Sequence, residues 1–185
     1  MIFTPRITAA VGLIILAAVL LQLAFFSQVP LLGSVANFVP VVVVALGLLG
    51  GALPGVVCGF IAGLLIDSAL GTTIGVTSLS LMAAGYLAGR WRESYDIVSS
   101  LVPPLLTGAL TGVAAATYAA IQLMLGVDAP VSLLVLREIV VQAFLGTLLA
   151  VPTFPLIRRV LRSALVDDAR PSRRRPSRGM LGVTA

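Results

Sequence analysis

The sequence predicts an all-α, polytopic integral membrane protein with about six transmembrane helices. Three observations carry this. Of 185 residues, 59% are hydrophobic and 10% charged, and the mean hydropathy is +1.12, far from the usual soluble composition. Apolar runs near or above the length needed to span a bilayer recur from Ile7 onward. Small residues recur every fourth position, the spacing that lets helices pack closely in lipid. A single membrane domain over residues 1–160 and a disordered basic tail over 161–185 follow from the same distribution, with no room for a second folded domain.

The first span is Ile7–Phe26. It follows Arg6 and is longer than the apolar core of a signal peptide, with no Ala-x-Ala pattern after it, so it reads as a retained span. A loop rich in Pro, Gly and Ser runs through Ser34. The second span is short, about Ala36–Gly50, with Pro40 near its start, and Gly50-Gly51-Ala52-Leu53-Pro54 reads as a tight turn. The third span runs about Gly55–Leu70, Gly71-Thr72-Thr73 turns the chain, and the fourth runs about Ile74–Gly89. A polar link from Arg90 to Asp96 follows.

The fifth span starts at Pro103-Pro104, since proline is tolerated in a first helical turn, and continues to Leu125. Residues 126–130 form a short turn. The last span is about Ile139–Ile157, with Val131–Glu138 as its first turns or an interfacial approach, and Pro152 and Pro155 are expected to kink its end. From Arg158 onward the chain is rich in Arg, Pro and Ser and has little to bury, which predicts disorder.

Charge sets the orientation. Residues 158–185 hold eight Arg and two Asp, a net of +6, and the rest holds four Arg and five acids, a net of −1. With both ends in the cytoplasm, Arg6, Arg90, Arg92 and the tail lie inside, and loops 27–35, 67–73 and 126–130, without Lys or Arg, lie outside. A re-entrant hairpin of the second and third spans is the five-span alternative. The basic tail is expected to meet anionic lipid, and nothing points to nucleic acid.

Gly47, Gly51, Gly55, Gly59 and Gly63 stand four residues apart, and the next step of four reaches Asp67. The ladder predicts a helix face stripped bare for a close neighbour. A carboxylate at its end is costly in hydrocarbon and so a candidate for a structural or functional role, capping backbone or pairing with a cation. Arg137 and Glu138 are sequence neighbours, poorly placed for each other on a helix. An Arg137–Asp67 pair is possible under the proposed topology. The structural or partner-binding candidates are therefore Gly55, Gly59, Gly63, Asp67, Arg137 and Glu138. Gly85/Gly89 and Gly108/Gly112 repeat the spacing, with Thr107/Thr111 extending the second pair. Tyr86, Trp91 and Tyr95 read as an interfacial aromatic cluster.

Enzymatic readings find little support. There is no His and one Cys, Cys58 in an apolar run, so neither a Ser-His arrangement nor a Cys/His metal site is available. Asp67 and Asp128 are the only candidates for an aspartate pair, and both sit in or near loops. No cofactor is expected.

Residues 59–67 read Gly-Phe-Ile-Ala-Gly-Leu-Leu-Ile-Asp after a glycine-rich hairpin, followed by Gly75 and Gly85-Tyr86-Leu87-Ala88-Gly89-Arg90. The stretch Pro40–Arg90 resembles the rod shape-determining MreD family, and length and basic tail agree with it. The family commonly has Pro-Asp-Leu at the second span. Here Pro40 is followed by Val41-Val42, so no role of that acid carries over. The resemblance implies a non-enzymatic subunit of the bacterial cell-elongation machinery in the cytoplasmic membrane. Implied partners are an MreC-like protein and, through it, a RodA-type glycosyltransferase, a class B penicillin-binding protein and the MreB filament. The implied fold is that of the substrate-binding subunits of energy-coupling-factor transporters, and a vitamin-binding transporter subunit is the alternative function. A vitamin pocket needs convergent polar and aromatic groups, and the outer half is expected to be poor in them. The first span also lacks the Ala-x-x-x-Ala pair typical of those subunits.

Overall fold

The computed structural model describes residues 5–25, 30–31, 34–35, 37–94, 102–126 and 133–168. Tyr95, Asp96, Asp128 and the tail beyond Asp168 lie outside the described residues. Six helices are present among them: α1 (Pro5–Ala24), α2 (Phe38–Gly50), α3 (Ala52–Leu70), α4 (Val76–Ser94), α5 (Val102–Met124) and α6 (Leu133–Asp168). Between α1 and α2, two short strands, β1 (Pro30–Leu31) and β2 (Ser34–Val35), pair antiparallel where only a loop was expected. Three helical stretches are long and apolar enough to cross a membrane: Ala52–Leu70, Val102–Met124 and Val135–Leu161.

The centre of the bundle is α2, which touches all five other helices. Its sequence, FVPVVVVALGLLG, has no polar face, and Val39, Val41 through Leu46, and Leu48 are all buried. A helix apolar on every side belongs inside a protein or a bilayer, and α2 is inside the protein. Its 13 residues span roughly 20 Å at about 1.5 Å each, well short of a hydrocarbon core of about 30 Å. The terminal backbone groups of so short a helix still need partners.

Around α2, α3 and α4 form one close pair and α5 and α6 another. α1 adds a stripe of Ile15, Ala18, Val19 and Gln22, spaced for one helix face, and leaves Leu13, Leu16, Leu20 and Leu21 exposed on the other. Leu136, Val140, Phe144, Leu148 and Val151 make a similar outward apolar stripe on α6.

Several boundaries differ from those expected, each for a physical reason. The turn before α3 is only Gly51, at φ 104°, a left-handed backbone suited to glycine. Leu53 and Pro54 already belong to α3, because proline in a first turn forfeits no intrahelical bond. α4 runs on through Arg90, Trp91, Arg92 and Glu93 to Ser94 rather than ending at Gly89. α6 starts at Leu133, so the approach to Ile139 is helix. It passes through Pro152 and Pro155 and continues to Asp168. Residues 158–168, where disorder was expected, contain no Gly or Pro to stop the helix.

Candidate functional site

The glycine ladder of α3 faces α4. A Cβ on Gly59 would meet the Leu81 carbonyl oxygen at 2.5 Å, and one on Gly63 would collide with the backbone of Ser78. Gly55 and Gly85 are reciprocal: a Cβ on either would strike the other's carbonyl. Gly89 abuts Gly51 and Ala52, and a Cβ on Gly47 of α2 would lie 2.8 Å from the Gly85 oxygen. Backbones of α2, α3 and α4 thus converge around Gly47, Gly55 and Gly85. Approach this close requires the absence of side chains and supplies dense van der Waals packing. A second seam joins α5 to α6, where Gly108 lies against Ala143 and Thr147, and Gly146 against Thr111. Thr107 and Thr111, both buried, donate to Pro103 and Thr107 carbonyls at 2.7 and 2.8 Å, satisfying their hydroxyls within α5.

Asp67 ends the α3 face and is fully buried. Its Oδ2 accepts from the Gly75 amide at 2.8 Å and its Oδ1 from the Thr72 hydroxyl at 3.4 Å. Its own carbonyl accepts from the Thr72 amide at 3.2 Å and from the amide of Gly71, the left-handed cap at φ 64°. Gly75 also has positive φ, 102°. One aspartate therefore ties both ends of the α3–α4 turn. This is the backbone-capping arrangement. The pairing of Asp67 with Arg137 that topology allowed is not among its bonds: Asp67 is fully buried, whereas Arg137 is exposed. Arg137 is exposed on the first turns of α6, as is Glu138, whose Oε1 accepts from Gln142 Nε2 at 3.2 Å.

The two ends of α2 and the start of α3 are bonded by side chains from neighbouring helices. Gln22 of α1 accepts from the Phe38 amide at 2.6 Å, at the start of α2. At its other end, Arg92 of α4 donates to the Leu49 carbonyl, and Glu93 Oε1 accepts from the Ala52 amide at 3.0 Å, at the start of α3. The sequence alone placed Arg92 and Glu93 in a polar link after the fourth span. The signal that could have revealed them is the shortness of α2, whose ends need partners in an apolar setting.

At the Asp67 end lies a cavity of about 430 Å³, lined by residues of all six helices and of the α3–α4 turn. Gln22, Asn37, Thr72, Thr77, Ser80, Tyr118, Gln122, Glu138 and Gln142 line it, with Val39, Pro40, Ile66, Leu81 and Ala114 supplying apolar wall. The outer half was expected to be poor in such polar groups, yet nine polar side chains line this one cavity. Scattered residues from six segments converge here, which no local motif shows. Of the candidate residues, Gly55, Gly59 and Gly63 form one seam with Asp67 at its end, whereas Glu138 belongs to the cavity wall.

Comparison with known proteins gives one match: the family model described as rod shape-determining protein MreD matches residues 5–164. No curated protein and no solved structure matches the chain.

Proposed function

The chain belongs to the rod shape-determining protein MreD family, and from that premise we infer that it is a non-enzymatic scaffold subunit of the bacterial complex that drives cell elongation and peptidoglycan synthesis. The family match, which covers all six helices through residue 164, carries the reading. The packing supports it: backbone seams and side-chain caps build a stiff bundle that can present fixed surfaces to partners. The protein resides in the cytoplasmic membrane as six spans with both termini inside, as the Arg distribution favours. Its direct partner is an MreC-like protein. A RodA-type glycosyltransferase, a class B penicillin-binding protein and the MreB filament are linked through it, and the basic tail meets anionic lipid.

The test is rescue of rod shape in cells depleted of the protein. The intact chain restores rods, and a Gly59→Leu chain, unable to close the α3–α4 seam, leaves cells round. Rods restored by a chain that cannot fold its seam would overturn the reading. The alternative, a vitamin-binding transporter subunit, predicts loss of vitamin uptake with normal shape in the depleted cells.

A further inference from the structure

The chain has five carboxamide side chains, Gln22, Gln28, Asn37, Gln122 and Gln142. Four of them, from three helices and the segment before α2, line one cavity at the Asp67 end. Burying amides in a membrane bundle is unfavourable unless they are bonded, so their gathering in one place calls for a cause. Gln22 and Asn37 bond to each other at 3.2 Å and Gln142 to Glu138 at 3.2 Å. Gln122 Nε2 donates to the Tyr118 hydroxyl at 3.0 Å, but its Oε1 is buried without a partner. An unsatisfied buried acceptor costs about 1–3 kcal/mol, which a ligand N–H or O–H would relieve. The Tyr118 hydroxyl accepts from Gln122 and keeps its own proton to donate.

We propose that this cavity is a binding site for a small uncharged molecule bearing amide and hydroxyl groups. Its size falls in the range of small-molecule sites, roughly 300–1,000 Å³. Carboxamides offer paired donors and acceptors, the complement of an amide or a polyol. Among the described residues the lining contains one carboxylate, Glu138, and no basic residue, so an anion finds repulsion and no counter-charge there. This goes beyond the scaffold function and does not rest on it, since it is argued from the cavity lining alone.

The experiment uses the full chain, purified in detergent, with Cys58→Ala and a reporter Ala119→Cys on the cavity wall. Labelling by a methanethiosulfonate reagent is followed by mass spectrometry. N-acetylglucosamine slows labelling, by about half at a concentration equal to its dissociation constant. N-acetylmuramic acid, the same sugar with an added lactyl carboxylate, protects markedly less. Gln122→Met, which removes the orphan oxygen at similar volume, weakens protection roughly tenfold while the protein unfolds at the same or a higher temperature. Failure of N-acetylglucosamine to protect, equal protection by the acid, an unreactive reporter in folded protein, or full protection in Gln122→Met would each overturn the proposal.

Discussion

Replacing Gly59 with alanine adds one methyl group, and the structure says where it goes. The new Cβ would lie 2.5 Å from the Leu81 carbonyl oxygen, 2.7 Å from its carbon and 2.9 Å from the Met82 nitrogen. An ordinary C···O contact is about 3.3 Å, so the shortfall at the oxygen is roughly 0.8 Å. All three atoms are backbone, and no rotamer change can relieve the clash. α3 and α4 must move apart, and a gap of that size forfeits about a quarter to a half of the attraction at each opened contact along the seam. Overpacking of this kind costs about 1–3 kcal/mol. Alanine also gains up to about 1 kcal/mol over glycine in a helix, so a control is needed. Gly12, in α1, has nothing within 4 Å of its would-be Cβ. Gly12→Ala therefore carries the propensity gain alone, and the difference between the two variants isolates the seam. Reversible unfolding in mixed micelles should place Gly59→Ala about 1–3 kcal/mol below Gly12→Ala. Equal stability of the two would refute the close-packed seam.

Asp67→Asn keeps an acceptor for the Gly75 amide and should be mild, whereas Asp67→Leu leaves that amide and Thr72 unpaired and should cost about 1–3 kcal/mol more; equal damage to shape rescue from both, with thermal stability intact, would replace the capping role with a charge-dependent one. Arg92→Ala and Glu93→Ala should each lower stability by about 0.5–1.5 kcal/mol by freeing the Leu49 carbonyl or the Ala52 amide, and a double variant no worse than either single would show that the two caps act as one unit. For topology, single cysteines in a Cys58→Ala background should label from outside at Ser34 and Asp128, and only after permeabilisation at Ser94 and Ser177; external labelling at Ser94 would sink the six-span arrangement.

The glycine spacing was readable because it is a local, periodic property of a single helix. The steps Gly55, Gly59 and Gly63 on α3 and the pair Gly85/Gly89 on α4 each announce a bare face, and the fold brings those faces together. The capping position of Asp67 was readable for the same reason, since Gly71, Thr72 and Gly75 follow within one turn of chain. The caps of α2 and α3 were not, because Gln22, Arg92 and Glu93 act across helices far from them in sequence. Arg92 and Glu93 resemble any polar helix end. The cavity was invisible for a further reason. Its polar wall is assembled from isolated residues such as Gln22, Ser80, Gln122 and Gln142, each alone in an apolar run, and only the three-dimensional arrangement makes them neighbours. The helical course of 158–168 was missed because the stretch from Arg158 onward, rich in Arg, Pro and Ser, predicted disorder, although the Leu, Ala and Arg residues of 158–168 favour helix.

The central claim is that this bundle acts as a scaffold within an elongation complex. The most direct measurement is isolation of the tagged chain from native membranes, with its partners identified by mass spectrometry and Gly59→Leu as the paired control. The account predicts an MreC-like protein in stoichiometric amount, with a class B penicillin-binding protein and a RodA-type glycosyltransferase beside it, and their loss from the control. Recovery of a pair of transporter ATPases in place of those proteins would contradict it.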